Sequence, residues 1–347
     1  MRIRPTSSSR GARAFAVLIA LVAVTVLTLL AAAFAYSMKV ETRLAANTDN
    51  DEEFYWIGRG GVERACWWLA VEGNQPFSSL QQYWAGGPGD GPETNSLLAA
   101  ESLNDFPVGE GTVSIKLTEL ESKVNVNTAD SPLLQQVLSL QGADAGAISV
   151  VSDSILDWID PDDVTRPAGA ESDYYLGLTP SYYAKNAPMD SIEELLLIKG
   201  VTPHMYYNDP VSSTSADDLG FGHKYNQDPN YAFGLKDVFT AYSSGKINVL
   251  TADANVLQLI PGLDSAAAQQ IETARNSEPP ARNIQQLLSA AGINLQAAGQ
   301  LMNYVSVIGN TYEVRATAYI GPLSHEYTAI VYRNGPNVHV VSFYRSN

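Results

Sequence analysis

The chain has 347 residues, 45% hydrophobic and 17% charged, which is enough apolar sequence for two or three domains with cores and too much for a disordered tract. Its 21 Lys and Arg stand against 37 Asp and Glu, a formal charge of −16 that repels phosphate backbones, so nucleic acid is not expected as a partner. One cysteine, Cys66, forms no internal disulfide, and with four histidines it leaves almost no donors for a zinc or iron–sulfur site.

The first fourteen residues carry Arg2, Arg4, Arg10 and Arg13 and no acid, and Phe15 to Tyr36 then carry no charge. As a helix that apolar run rises about 33 Å against a hydrocarbon core of about 30 Å, so it is predicted to span a membrane with the arginines on the cytoplasmic side. A cleaved signal peptide is the competing reading, with Ala31-Ala32-Ala33 as its small-residue site. Against it, Leu44, Phe54, Ile57, Val62, Ala65 and Leu69 continue at helical intervals and predict one helix to about Val71. Gly58, Gly60 and Gly61 predict a bend or a close packing contact within it.

From Trp84 to Glu93 the sequence WAGGPGDGPE is a loop. Thr112 to Leu120 alternates, with Val113, Ile115 and Leu117 on one face, as a half-buried strand does. Thr311 to Ile320, Glu326 to Arg333 and Val338 to Arg345 are three more such runs, parted by turns at Gly321-Pro322 and Asn334-Gly335-Pro336. Together they predict a small antiparallel sheet packed on the long helix, an α+β arrangement whose strands are split by nearly two hundred residues.

That intervening block reads as helical and repeats itself. Lys123-Val124-Asn125-Val126-Asn127-Thr128-Ala129-Asp130 recurs as Lys246-Ile247-Asn248-Val249-Leu250-Thr251-Ala252-Asp253, and Ser191 to Leu196 with Gly200 recurs as Asn283 to Leu288 with Gly292. Thr128 and Thr251 are expected as N-caps, and Gly200 and Gly292 as C-caps. Ile260-Pro261-Gly262-Leu263-Asp264 has the form of a helix-hairpin-helix turn. Lys246, Arg275 and Arg282 are the only Lys or Arg between 246 and 308, so a packing role is expected there instead of DNA binding.

One stretch concentrates chemistry: Asp157, Asp160, Asp162, Asp163, Glu171 and Asp173 lie within seventeen residues. Like charges at about 4 Å repel by about 1 to 4 kcal/mol according to solvation, so carboxylates folded onto one loop favour a cation. Hard oxygens without His or Cys suit calcium, with Asp160, Asp162, Asp163, Glu171 and Asp173 as candidate ligands and Gly169 as the turn that returns the last two. The competing reading is a solvated loop with Asp157 and Asp160 capping helices. His204, His223, His325 and His339 are scattered, and Cys66 sits beside Trp67 and Trp68 as a core thiol, so no catalytic constellation is expected.

The basic leader, Phe15-Ala16-Val17-Leu18-Ile19, Val40-Glu41-Thr42-Arg43-Leu44-Ala45 and Gly60-Gly61-Val62-Glu63-Arg64-Ala65 resemble the minor pseudopilin K of type II secretion systems. The resemblance implies a pilin-like fold, a long N-terminal helix on a small antiparallel sheet, carrying an inserted all-α region of two SAM-like or helix-hairpin-helix-like units. The expected boundaries are a prepilin leader at 1–14, a transmembrane half-helix at 15–37, pilin domain at 38–122, helical domains at 123–245 and 246–308, and closing strands at 309–347. It implies cleavage by a prepilin peptidase between Ala14 and Phe15, although the usual glycine before the cut is found at Gly11, and methylation of the new N-terminus. Major pilins have a glutamate as fifth mature residue; here that place holds Ile19, or Ala16 for a cut after Gly11, which resembles a subunit with no neighbour above it. It further implies calcium in the acidic stretch, with Asn186-Ala187-Pro188 as a nearby family motif. The implied role is the tip of the pseudopilus in the inner membrane, with its C-terminal domain periplasmic and minor pseudopilins I and J as partners. A single-pass, membrane-anchored acidic periplasmic protein that binds a ligand is the alternative.

Overall fold

The computed structural model describes residues 9–89, 98, 101–208, 231–277, 280–293, 299 and 301–346, with the side chains of 9–14 and 42–50 left aside. The first eight residues of the expected leader, the loop after Gly89, His223 and the side chains of Ala14 and Leu44 lie outside the described residues.

Helix α1 runs unbroken from Ser9 to Glu72. Within it Phe15–Glu41 is long and apolar enough to cross a membrane, and none of that segment is buried against protein. The expected cut between residues 14 and 15 therefore falls inside the helix. Beyond the span the helical spacing translates into burial: Phe54, Ile57, Val62, Ala65 and Leu69 are all buried, a stripe about one helix face wide.

That stripe lies on a five-stranded antiparallel sheet. Its strands are β1 (Phe106–Val108), β2 (Gly111–Glu119), β7 (Thr311–Ile320), β8 (Leu323–Asn334) and β9 (Asn337–Ser346). They lie side by side in the order β1-β2-β7-β8-β9. Val113, Ile115 and Leu117 point inward as their alternation requires, and Ala316, Ala318 and Ala329 keep the sheet's inner face low. A methyl group added at Gly58 would stand 2.3 Å from the Tyr327 ring, and one at Gly61 would stand 2.7 Å from Val113. The glycines thus mark close approach of helix to sheet, and the alternative of a bend falls away.

The sequence misses β1, whose three residues are too few to alternate. It also starts β8 three residues late: Leu323 pairs with Ile320 across the turn, so the ladder to β7 draws the hairpin out to its tip. A bulge at Ile330/Val331 shifts the register against β9.

The insert consists of short helices closed by two tiny parallel ladders. β3 (Val124–Asn125) pairs with β4 (Phe239–Thr240), and β5 (Ile247–Asn248) pairs with β6 (Val305–Ser306). Both ladders begin at the repeated Lys-Val-Asn and Lys-Ile-Asn, and each asparagine accepts from the backbone two residues on, Asn127 N to Asn125 at 2.9 Å and Leu250 N to Asn248 at 3.0 Å. Between the first pair lie α2 (Ser131–Gln141), α3 (Ala145–Ile159), α4 (Ser172–Leu176), α5 (Pro203–Tyr207) and α6 (Leu235–Val238). Between the second lie α7 (Ala254–Leu257), α8 (Ser265–Arg275) and α9 (Ile284–Ala290). All of them share one continuous apolar core, separate from that of the pilin-like part.

The expected N-caps Thr128 and Thr251 are corrected to Asp130 and Asp253, whose carboxylates accept from Leu133 N and Val256 N. The threonine hydroxyls turn back to the carbonyls of Asn125 and Asn248. An aspartate two residues on reaches the free N–H groups of the first turn with a full charge. Gly292, at φ +72°, follows Ala291, the last residue of the α9 stop, and its N–H donates to Ser289 O, as a helix end requires. The expected C-cap at Gly200 is corrected: the 3-10 turn Ile192–Leu197 ends at Ile198, and Gly200, at φ +88°, belongs to the turn after it.

Candidate metal centre

Helix α3 carries Asp157 on its last turn and ends at Asp160, whose N–H bonds back to Leu156 O. The chain then loops out and returns, and Glu171 immediately precedes α4. Oxygens of Asp160, Asp162 and Glu171 converge within 4.8 Å of one another. Ligands held 2.3 to 2.6 Å from one calcium ion lie up to about 5 Å apart, so the spacing suits such an ion.

Glu171 is 2% exposed, and neither of its carboxylate oxygens has a hydrogen-bond partner; Asp160 Oδ1 and the Asn186 side-chain oxygen are buried and unpartnered as well. Burial, together with the charges of Asp157, Asp160, Asp163 and Asp162, pushes the Glu171 carboxyl up to about 7. Orphaned buried oxygens on one side of a loop are costly unless something positive faces them.

Arg166 supplies part of that charge. Its guanidinium binds Asp157 at 2.7 Å and also Asp160, while its backbone N–H donates to Asp157. Of the two expected caps, Asp160 is the C-cap residue of α3, whereas Asp157 is fully buried within the last turn and holds Arg166 instead. A methyl at Gly169 would sit 2.0 Å from the Asp157 carboxylate: here a glycine is needed for space, not for its φ.

Among the predicted ligands, Asp163 and Asp173 stand outside the converging group. Asp163 accepts from Ser172 at 3.3 Å and from Asn186 Nδ2 at 2.9 Å, which leaves the Asn186 oxygen turned the other way. Asp173 is exposed. Lys199 steadies the loop by donating to Gly169 O at 2.9 Å; Lys185 instead bridges Asp190 and Glu194 at 2.6 Å each. Arg166 was missed by sequence reasoning, although a lone cation among six acids was there to be noticed.

The insert meets the sheet at a buried polar junction. Asn248 donates to the Glu119 carboxylate at 2.8 Å and to Ser78 O at 3.0 Å. Glu121 accepts from Thr311 N at 3.0 Å and Ser244 N at 3.2 Å, and Arg333 donates to Ser78 Oγ at 2.7 Å and Gly309 O at 2.9 Å. Burial pushes the Glu119 carboxyl up to about 8 and raises Glu121 too. Asn248 was visible only as a repeat residue.

The hairpin Ile260 to Asp264 leads into α8, whose first turn is capped by Asp264 through Ala267 N at 2.7 Å. A carboxylate therefore holds the place a phosphate would take. His325 lies against Phe54 and Arg345 at the helix–sheet seam, and His204 lies against Tyr231. Cys66 is buried, its thiol pushed up to about 11 chiefly by burial.

Residues 114–208 match the family model described as type II secretion system (T2SS), protein K, and residues 243–306 match a helix-hairpin-helix motif. The type II secretion system protein K of Aeromonas hydrophila is 26% identical over 222 residues, 57% of this chain and 62% of that protein. That of Klebsiella pneumoniae is 22% identical over 132 residues, 34% of this chain and 40% of that protein. The matches thus span less than two thirds of either relative. In fold, a chain of the GspK-GspI-GspJ complex from the enterotoxigenic Escherichia coli type 2 secretion system matches with a TM-score of 0.66 at 19% identity, over 87% of this chain and 99% of that one. The resemblance to protein K read from the sequence is borne out, and with it the α+β fold with its helical insert.

Proposed function

We propose that this chain is a minor pseudopilin of the K type, anchored in the inner membrane by Phe15–Glu41 with its folded part in the periplasm. The observation that carries the reading is a long helix laid on a sheet, with a protein K domain matched at residues 114–208, from within β2 into the insert that follows it. Its work is assembly, not catalysis. The lower half of α1 joins partner helices, by analogy I- and J-type pseudopilins, and the insert above the sheet stops further stacking at the tip. Asp160, Asp162 and Glu171 would hold calcium, which would neutralise the carboxylates Arg166 leaves unpaired and fix the loop.

The test is co-expression of the full chain with a prepilin peptidase and I- and J-type pseudopilins, followed by purification and N-terminal mass spectrometry. A methylated Phe15 terminus and a stoichiometric ternary complex are expected. An intact Met1, a cut near Ala33, or recovery of this chain alone would overturn the reading.

A further inference from the structure

The acidic loop carries a cation of its own. Among the described residues, Arg166 is the only base within ion-pair distance of Asp157, Asp160, Asp162, Asp163 or Glu171. Lys199 donates instead to the carbonyls of Ala168 and Gly169, at 3.4 and 2.9 Å, and faces the Tyr174 ring. Lys185 is held by Asp190 and Glu194.

The main chain and the side chain of Arg166 are held differently. Its backbone N–H donates to both Asp157 oxygens, at 3.3 and 3.2 Å, and its carbonyl accepts from Gly169 N at 3.1 Å, so the main chain is fixed. The side chain is 35% exposed and reaches the acids through Nη1 alone, which is shared between Asp157 Oδ1 and Asp160 Oδ2. A guanidinium that grips a carboxylate firmly does so with two parallel N–H groups. Here one nitrogen serves two acids, and it can leave Asp160 for water while the backbone keeps Asp157.

Asp160 is the point where two positive charges would meet. It belongs to the converging group with Asp162 and Glu171, and in that group Glu171, 2% exposed, has neither oxygen partnered. Asp160 Oδ1 is buried and unpartnered, while Oδ2 is on Arg166. A divalent ion that draws on Asp160 therefore faces a cation on the same carboxylate. Calcium affinity follows the charge of the ligand set, and a guanidinium that takes up part of that charge lowers it. The same guanidinium compensates Asp157, which is fully buried and would be costly to leave unpaired.

We propose that Arg166 is a resident counter-ion that competes with calcium for Asp160. It keeps the loop folded at low calcium and sets the affinity below what the carboxylates alone would give. Binding is then an exchange in which the ion enters, Nη1 leaves Asp160 for solvent, and Asp157 keeps the backbone N–H. The proposal rests on calcium being the ion of this loop.

The test is calorimetric titration of calcium into the full detergent-solubilised chain freed of chelator, wild type beside Arg166→Gln and Arg166→Lys, with melting curves of each in chelator and in saturating calcium. Removing a unit charge from beside a divalent ion should let Arg166→Gln bind calcium at least about tenfold more tightly. That variant should melt below wild type in chelator and draw level with it in saturating calcium, and Arg166→Lys, which keeps the charge, should bind as wild type does. An Arg166→Gln chain that binds no more tightly overturns the proposal; one that binds more weakly shows that Arg166 holds Asp160 in place for the ion. If that variant does not fold, the same comparison in an Asp157→Asn background, where no buried charge is left behind, must show the tightening or the proposal falls. A wild-type chain that takes up no calcium defeats the calcium reading itself, whereas a wild type that binds calcium and is matched by Arg166→Gln defeats only the role of Arg166.

Discussion

The pilin-like part and the insert hold themselves together by different means. In the first, one helix face meets one sheet face through glycines and alanines on both sides, so stability resides in a single broad contact. In the second, the α-helices among the described residues run no longer than the fifteen residues of α3, several are started by aspartate caps, and the units are tied by two-residue ladders. Helices that short are marginal alone, so their order comes from caps and a shared core. A single residue should therefore matter most in the first part, and many residues a little in the second.

The largest effect is expected at Gly58→Leu. With a methyl already 2.3 Å from Tyr327, the branched side chain would force helix and sheet apart. Overpacking of this kind costs about 3 kcal/mol. Denaturant unfolding of the detergent-solubilised chain should show the pilin-like transition falling while the insert's stays. If both fall together, the two cores are not separable.

Chelation comes next and strikes the insert. Calcium at about a hundred times its dissociation constant stabilises a folded site by about 2.7 kcal/mol, so a chelator should lower the melting temperature, and Asp160→Ala with Asp162→Ala should remove the response. Without calcium, Glu171 binds its proton more tightly folded than unfolded. Its contribution is complete below pH 4.5 and is shed as pH rises through about 7. A melting curve indifferent to chelator would return the acids to the solvated-loop reading.

The repeat offers a matched pair at the boundary between the two regions. Asn125→Ala and Asn248→Ala remove equivalent side chains, but Asn248 alone also faces a buried carboxylate. The second change should cost about 2 to 3 kcal/mol against about 1 for the first. Glu119, raised to about 8, makes the junction weaken as pH climbs from 4.5 through 8, and Glu119→Gln should flatten that slope. Equal losses at the two asparagines would show that the carboxylate contributes nothing.

The smallest effect separates aspartate from threonine at the caps. Asp130→Ala should cost about 1 kcal/mol and Thr128→Ala clearly less, as read by thermal melting.

What the sequence discloses follows the same division. Strands that alternate, such as Thr311–Ile320, are legible because a period of two suits only an extended chain with one face covered, and α1 is legible because its buried stripe is sustained from Phe54 to Leu69. β1, β3 and β5 are too short for any period, and the partners of β3 and β5 lie far along the chain, so the repeat marks those two as equivalent without marking them as strands. At the candidate site, residue type suggested a hard cation. Which oxygens converge depends on the path of the loop, on Asp157 filling the space beside Gly169, and on Arg166 folding back, none of which is local in sequence.

Glu119 and Tyr312 face each other as register partners on neighbouring antiparallel strands. The whole insert therefore leaves and re-enters the sheet at one rung, as a guest lodged in the bend of a hairpin. Its host needs nothing from it topologically: joining Glu119 to Tyr312 by about two residues such as Asn-Gly would leave an ordinary hairpin. Genetically, such a guest can be gained, doubled or exchanged without redrawing the strand order, and the internal repeat is the trace that doubling leaves behind.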